Sequence, residues 1–257
     1  MIEVKHLTYK ANRHKILLND VSLCLEDGGF YGIIGNNGSG KTTLLRCMSG
    51  TLNTKSDGSI TINGKDIASY SARQLAKQIA VVPQHTDILF DFSAHQIVMM
   101  GRFASQKRWL MADSEEDLAK VERAMRQTGT WDLRNTSVKV LSGGELQRII
   151  IARALVQDTP FILLDEPISS LDIKHQQEIM NLLTQINRLE HRTIVVILHD
   201  LNLALAHTQH LFVLNGGSLV AKGDTKNILS PLNIRRFFGV DAQIITDESL
   251  KPHIIFN

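Results

Sequence analysis

Among 257 residues there are only two cysteines, five prolines and 5% aromatic side chains. Cys24 and Cys47 stand alone, which excludes a disulfide framework and fits a reducing compartment. No apolar run approaches the roughly 20 residues needed to span a bilayer; the strongest, at 161–164 and 193–198, have strand length. An excess of one charge is missing too. Lys and Arg number 28 against 26 Asp and Glu, a net charge of +2, which offers no basic field for a nucleic-acid partner. The N-terminus alternates apolar and polar residues from Ile2 and lacks the regions of a signal peptide, so a cytoplasmic protein is expected. A hydrophobic share of 43% and a charged share of 21% describe an ordinary globular composition, long enough for one core with a subdomain.

What the chain does have is a glycine-rich turn between an apolar strand, 30–34, and a helical pattern. It reads G-x-x-x-x-G-K-T: Gly35, Asn36, Asn37, Gly38, Ser39, Gly40, Lys41, Thr42, followed by Thr43. Glycines permit backbone angles that turn successive N–H groups inward around a phosphate. The helix starting near Lys41 adds unpaired amides and its positive dipole end. Lys41 is expected to reach the β- and γ-phosphates of a nucleoside triphosphate, and the Thr42 hydroxyl to ligate Mg²⁺.

Two further elements complete a reaction site. Four apolar residues, 161–164, end in Asp165 and Glu166, where α/β folds place ligands. Asp165 suits Mg²⁺, held through its waters, and Glu166 suits the water that attacks the γ-phosphate. Within 140–155, Ser142, Gly143 and Gly144 then precede a long amphipathic helix, a second helix N-terminus able to receive an anion. One chain needs one phosphate cradle; a second implies a partner copy.

Coarse organisation follows from periodicity. Residues 1–30 alternate like antiparallel strands, and 56–67 adds a strand ended by the Asn63-Gly64 turn signal. From about 93 to 155 helices dominate, with Leu118, Val121 and Met125 expected on one buried face. After Pro160, apolar strands alternate with amphipathic helices, which predicts a mostly parallel sheet covered on both faces. The expectation is a single α/β domain over 1–257, with a helical subdomain inserted at about 90–155 and no regulatory domain after Gly216. His207 and His210, spaced i, i+3, read as a solvated helix face rather than a metal pair.

These motifs together resemble the nucleotide-binding subunit of ATP-binding cassette (ABC) transporters, a P-loop NTPase fold with an antiparallel β-subdomain and an α-helical insert. Residues 35–42 match the Walker A motif, 161–166 Walker B, and 141–145, ending in Glu145, the LSGGE signature. The resemblance implies that Gln84 senses Mg²⁺ and the attacking water, that His199 holds the γ-phosphate and orients Glu166, and that Asp172 belongs to the D-loop. It implies that Tyr9 packs on adenine. It further implies ATP hydrolysis with Mg²⁺ by a head-to-tail homodimer. Lys41 and Thr42 of one copy would face Ser142, Gly143 and Gly144 of the other.

The segments "LDIKHQ" and "LHDLNLA" resemble the ATPases of importers for iron chelates, a group that includes cobalamin and haem systems; a soluble, non-transport ATPase of the family is the remaining alternative. The resemblance implies attachment through permease subunits to the cytoplasmic face of the inner membrane, with a substrate-binding protein beyond it. A groove for the permease is expected between Gln84 and the helical insert, at Phe90, Phe92, Met99, Met100 and Arg102, with Met99, Met100 and Trp109 either there or in the core of the insert.

Overall fold

The computed structural model describes residues 1–12, 15–52, 57–84, 86, 88–105, 114–247 and 251–257; Trp109 and Ser56 lie outside them. The chain opens with β1 (Ile2–Asn12), β2 (Lys15–Leu25) and β3 (Phe30–Gly35), then α1 (Lys41–Met48). Next come β4 (Asp57–Ile62), β5 (Lys65–Asp66), α2 (Ala72–Leu75) and β6 (Ile79–Val82). Three helices follow: α3 (Ala94–Met99), α4 (Glu115–Gln127) and α5 (Gly143–Val156). The chain then alternates through β7 (Phe161–Leu164), α6 (Ile173–Glu190), β8 (Thr193–Ile197), α7 (Leu201–His207), β9 (His210–Asn215) and β10 (Ser218–Asp224). It closes with α8 (Thr225–Ile228), α9 (Pro231–Phe238), β11 (Ala242–Thr246) and β12 (Pro252–Phe256).

The main sheet has the order β10-β9-β3-β8-β7-β6, parallel from β9 to β6 with β10 as an antiparallel edge. Its central strands are buried along their length because both faces are covered. Alternate side chains go to opposite layers. Ile34, Leu164 and Val196 join a core with the helices, while Ile33, Leu163 and Val195 join α1 and a second, antiparallel sheet of order β2-β1-β4-β5. β4 and β5 meet at Asn63 and Gly64, both with positive φ, the type of turn that asparagine–glycine favours.

The helical stretch departs from its pattern at α4. Val121 and Met125 are buried as expected, but Leu118 is 41% exposed and Asp117 is buried in its place. The cause is a charge partner: Arg102 Nε donates to Asp117 Oδ1 at 2.7 Å, and Arg102 Nη1 to the Val156 carbonyl at 2.9 Å. Arg102 is therefore a buried strut rather than part of a groove. Met99 likewise belongs to the core, with Phe92 and Met100 packed against it, whereas Leu89, Phe90 and Phe103 stand 81%, 69% and 64% exposed.

After Gly216 the chain still builds structure. β10 completes the main sheet, and the β11–β12 hairpin is held to α7 by Asn202, which donates to the Ile254 carbonyl at 3.0 Å and accepts from its N–H at 2.7 Å. His207 and His210 do not share a helix. α7 ends at His207, and His210 begins β9, its ring stacked 5.2 Å from that of Tyr31. Among the described residues no helix is long and apolar enough to cross a membrane.

Candidate functional site

Four neighbouring strands of the main sheet, β3, β8, β7 and β6, end at the same edge and deliver the site. From β3 comes the glycine turn. Gly35 has φ +150°, and a Cβ there would lie 2.1 Å from the Leu214 carbonyl oxygen; at Gly40, φ +100°, it would lie 2.7 Å from that of Leu17. Only glycine fits either place. Asn36 and Asn37 form the exposed outer arc with Gly38, and Thr43 sits half-buried in the first turn of α1. That helix has no side-chain cap on its first amides. Among the described residues the buried Ser39 hydroxyl has no hydrogen-bond partner, a donor that a phosphate oxygen would satisfy.

Lys41 is buried and folds back onto the turn, Nζ donating to the carbonyls of Gly35 at 2.9 Å and Asn36 at 3.1 Å. Burial holds its ammonium pKa below the ordinary value, while the charges of Glu166 and Asp165 pull the other way. Thr42 Oγ1 donates to Asp165 Oδ1 at 2.9 Å. Burial pushes the Asp165 carboxyl pKa up, opposed by that hydrogen bond. This pair fits Mg²⁺: both are hard oxygen donors, and the described residues hold no cluster of three or more His, Cys, Asp or Glu able to bind a metal. A Mg²⁺ ion that takes one or two protein oxygens alongside substrate phosphates needs no such cluster.

Glu166 follows Asp165 in a left-handed conformation, φ +49°, which costs about 1–3 kcal/mol and re-aims its side chain. Both carboxylate oxygens are held. His199 Nε2, from the end of β8, reaches Oε1 at 2.7 Å, and Gln84 Nε2, from the end of β6, donates to Oε2 at 2.8 Å. The Gln84 side chain is thus turned to Glu166 rather than to Thr42. A cavity of about 200 Å³ opens beside Glu166 and His199, with room for water. Tyr9 is half-buried on β1 and pairs with Leu18 of β2, whose side chain closes on Gly40, so β2 lies between Tyr9 and the phosphate turn's glycine.

The second cradle is assembled elsewhere. Ser142 caps α5 in a reciprocal box: its Oγ accepts from Glu145 N at 3.3 Å and donates to Glu145 Oε2 at 2.7 Å, while Ser142 N donates to the same oxygen at 2.8 Å. These bonds hold the Glu145 carboxyl pKa below its usual range. A phosphate taking the Ser142 hydroxyl must displace Glu145. Gly143 and Gly144 pack on Leu171 and His175, and Asp172 caps α6. The reading from sequence overlooked His175, although an acid three residues before a histidine at a helix start signals the contact.

Comparison with known proteins decides the family. The ABC transporter profile matches residues 18–169. This chain belongs to the ABC transporter family. A ferric enterobactin transport ATP-binding protein of Escherichia coli is 39% identical over 246 residues, 95% of this chain and 89% of that protein. An achromobactin transport ATP-binding protein of Dickeya dadantii is 38% identical over 231 residues, covering 90% and 85%. Among solved structures, a metal-chelate type ABC transporter in an inward-facing conformation superposes with a TM-score of 0.86 at 27% identity, covering 100% of this chain and 97% of that one. A dimeric cassette bound to ADP and phosphate gives 0.74 at 28% identity, covering 88% and 99%. The chain is accordingly an ATP-binding, ATP-hydrolysing cassette with the P-loop NTPase fold, a subunit that works in dimeric cassettes with membrane permeases.

Proposed function

We propose that this chain, a single nucleotide-binding domain with a helical insert, powers an importer of iron chelates, ferric siderophores foremost. It works as a head-to-tail homodimer on the cytoplasmic face of the membrane. The observation that carries the catalytic part is the double grip of Gln84 and His199 on Glu166. A carboxylate fixed at both oxygens beside a phosphate turn is oriented as a general base for water. Lys41 exchanges its two backbone carbonyls for phosphate oxygens, and Ser39 and the first amides of α1 join it. Tyr9 stacks on the adenine. Thr42 and Asp165 would hold Mg²⁺, which would supply positive charge against that of the phosphates. Glu166 takes the proton of the attacking water, and His199 keeps its carboxylate aimed and meets the γ-phosphate. Ser142, Gly143 and Gly144 of the second copy close on that phosphate, with Asp172 between the two sites.

The cargo reading is supported by relatives named for ferric enterobactin, achromobactin and siderophore transport. A cobalamin import protein of Halobacterium salinarum at 37% identity favours cobalamin as the second reading. The exposed Leu89, Phe90 and Phe103 are the apolar groups for the permease to cover, in place of Met99 and Arg102. Specificity resides in the permease and its external binding protein, since the ATPase never meets the cargo. With the native permease in vesicles, ferric-siderophore-loaded binding protein is expected to raise ATP turnover; stimulation by cobalamin- or haem-loaded binding protein alone would overturn the iron assignment.

A further inference from the structure

The first turn of α6 carries contacts that hydrolysis leaves unused. Asp172 Oδ1 accepts from His175 N at 2.9 Å and contacts His175 Nδ1 at 2.8 Å. An ionised carboxylate only accepts, so Nδ1 carries the proton and the ring orientation is fixed. The ring lies on Gly144: a Cβ there would meet His175 Cδ2 at 2.8 Å, Cγ at 3.1 Å and Nε2 at 3.3 Å. One turn further along the same two helices, Arg148 pairs with Glu178. The first turns of α5 and α6 therefore lie beside each other and point in the same sense.

The turn also reaches back to the catalytic strand. Gln176 Nε2 donates to the carbonyls of Ile168 at 3.2 Å and Leu171 at 2.9 Å, and Ser169 Oγ donates to that of Glu166 at 3.2 Å. A continuous set of contacts thus joins Glu166, through residues 168–172, to the glycine end of α5.

We propose that His175 is a positioning residue: pinned by Asp172, its ring sets where the Ser142–Gly144 helix end stands, and so whether that end meets the second copy's ATP. This rests on the head-to-tail reading above. His175 touches no nucleotide and acts through Gly144. The ring is rigid and close-packed on a residue that has no side chain of its own to hold its place. A helix end misplaced by about 1 Å is enough to cost about 10²-fold in rate.

The test uses ATP-driven dimerisation in the Glu166→Gln background, followed by sedimentation, beside steady-state turnover of chains that retain Glu166. His175→Ala is expected to raise the ATP concentration for half-dimerisation about 10-fold and to lower kcat by about 10–10²-fold. Binding of a fluorescent ATP analogue to the monomer stays within about 2-fold, because the Lys41 half is untouched. Gly144→Ala probes the same contact without removing the ring. Its methyl displaces the imidazole, so dimerisation weakens; combined with His175→Ala the methyl has space, and the double variant dimerises better than Gly144→Ala alone. Unchanged dimerisation and turnover in His175→Ala, or losses that simply add in the double variant, would overturn the role of His175 alone. A Glu166→Gln chain that stays monomeric at saturating ATP overturns both this role and the head-to-tail reading.

Discussion

His199 Nε2 stands 2.7 Å from Glu166 Oε1, and the contact spans the gap between the ends of two adjacent parallel strands. Gln84 reaches the other oxygen from the strand on the far side. Glu166 therefore has no freedom to turn away from the phosphate site, and its strained backbone is held by partners on both flanks. A base so fixed acts on whatever water the site admits.

Replacing Glu166 by Gln keeps its size while removing the base, and leaves one oxygen to accept where the carboxylate offered two. Turnover should fall roughly 10²–10⁴-fold in a phosphate-release assay, with ATP affinity retained. Turnover at the wild-type rate would show that Glu166 does not take the proton.

Lys41→Ala attacks binding instead. Charge-assisted hydrogen bonds contribute about 1.5–3 kcal/mol each, so nucleotide affinity should drop about 10–100-fold by fluorescence titration. The buried ammonium also costs desolvation, and its removal is expected to leave thermal stability unchanged or raised.

The Arg102–Asp117 pair is buried on both sides. Removing one partner strands the other charge, so Arg102→Ala or Asp117→Ala should cost about 3–5 kcal/mol in urea unfolding. The double variant should cost less than the sum of the singles. Additive losses would mean that the pair is not a unit.

Acid sensitivity has an identifiable contributor in His207. Thr184 Oγ1 donates to the Met180 carbonyl at 2.8 Å, so its 2.9 Å contact with His207 must be donated by Nδ1–H. Burial, then the charges of Arg188 and Lys251, push the imidazole pKa below its ordinary value. Between the unfolded pKa near 6.5 and the lower folded one, the unfolded chain binds the extra proton. Stability is then complete above about pH 6.5 and falls as pH drops through that window. His207→Asn, which keeps a donor toward Thr184, should show a smaller loss of urea midpoint between pH 7.5 and 5.5 than the unaltered chain. An equal loss in both chains would exclude His207 as the source.

Most of the catalytic half was legible because its signals are local. The glycine turn is contiguous, and Gln84, Glu166 and His199 each follow an apolar run that a parallel sheet must align at one edge, though Gln84 and Glu166 lie 82 positions apart. The buried Asp117 was not legible. Helical periodicity favours Leu118, and only the tertiary partner Arg102 reverses the choice. Ser142 and Glu145 show a different difficulty: one spacing serves both a helix cap and a phosphate cradle, and the cap is what the fold makes. The β11–β12 hairpin rests on Asn202, a contact between residues 52 positions apart that no local pattern announces.

Shared sites are tested most directly by mixing two inactive chains, one with Ser142→Arg and one with Glu166→Gln. In a head-to-tail dimer the mixed pair contains one intact site, built from Glu166 of the first chain and Ser142 of the second. Random pairing then restores ATP turnover to about one quarter of the unaltered protein. A mixture that stays as inactive as its parents would mean that each chain completes its own site.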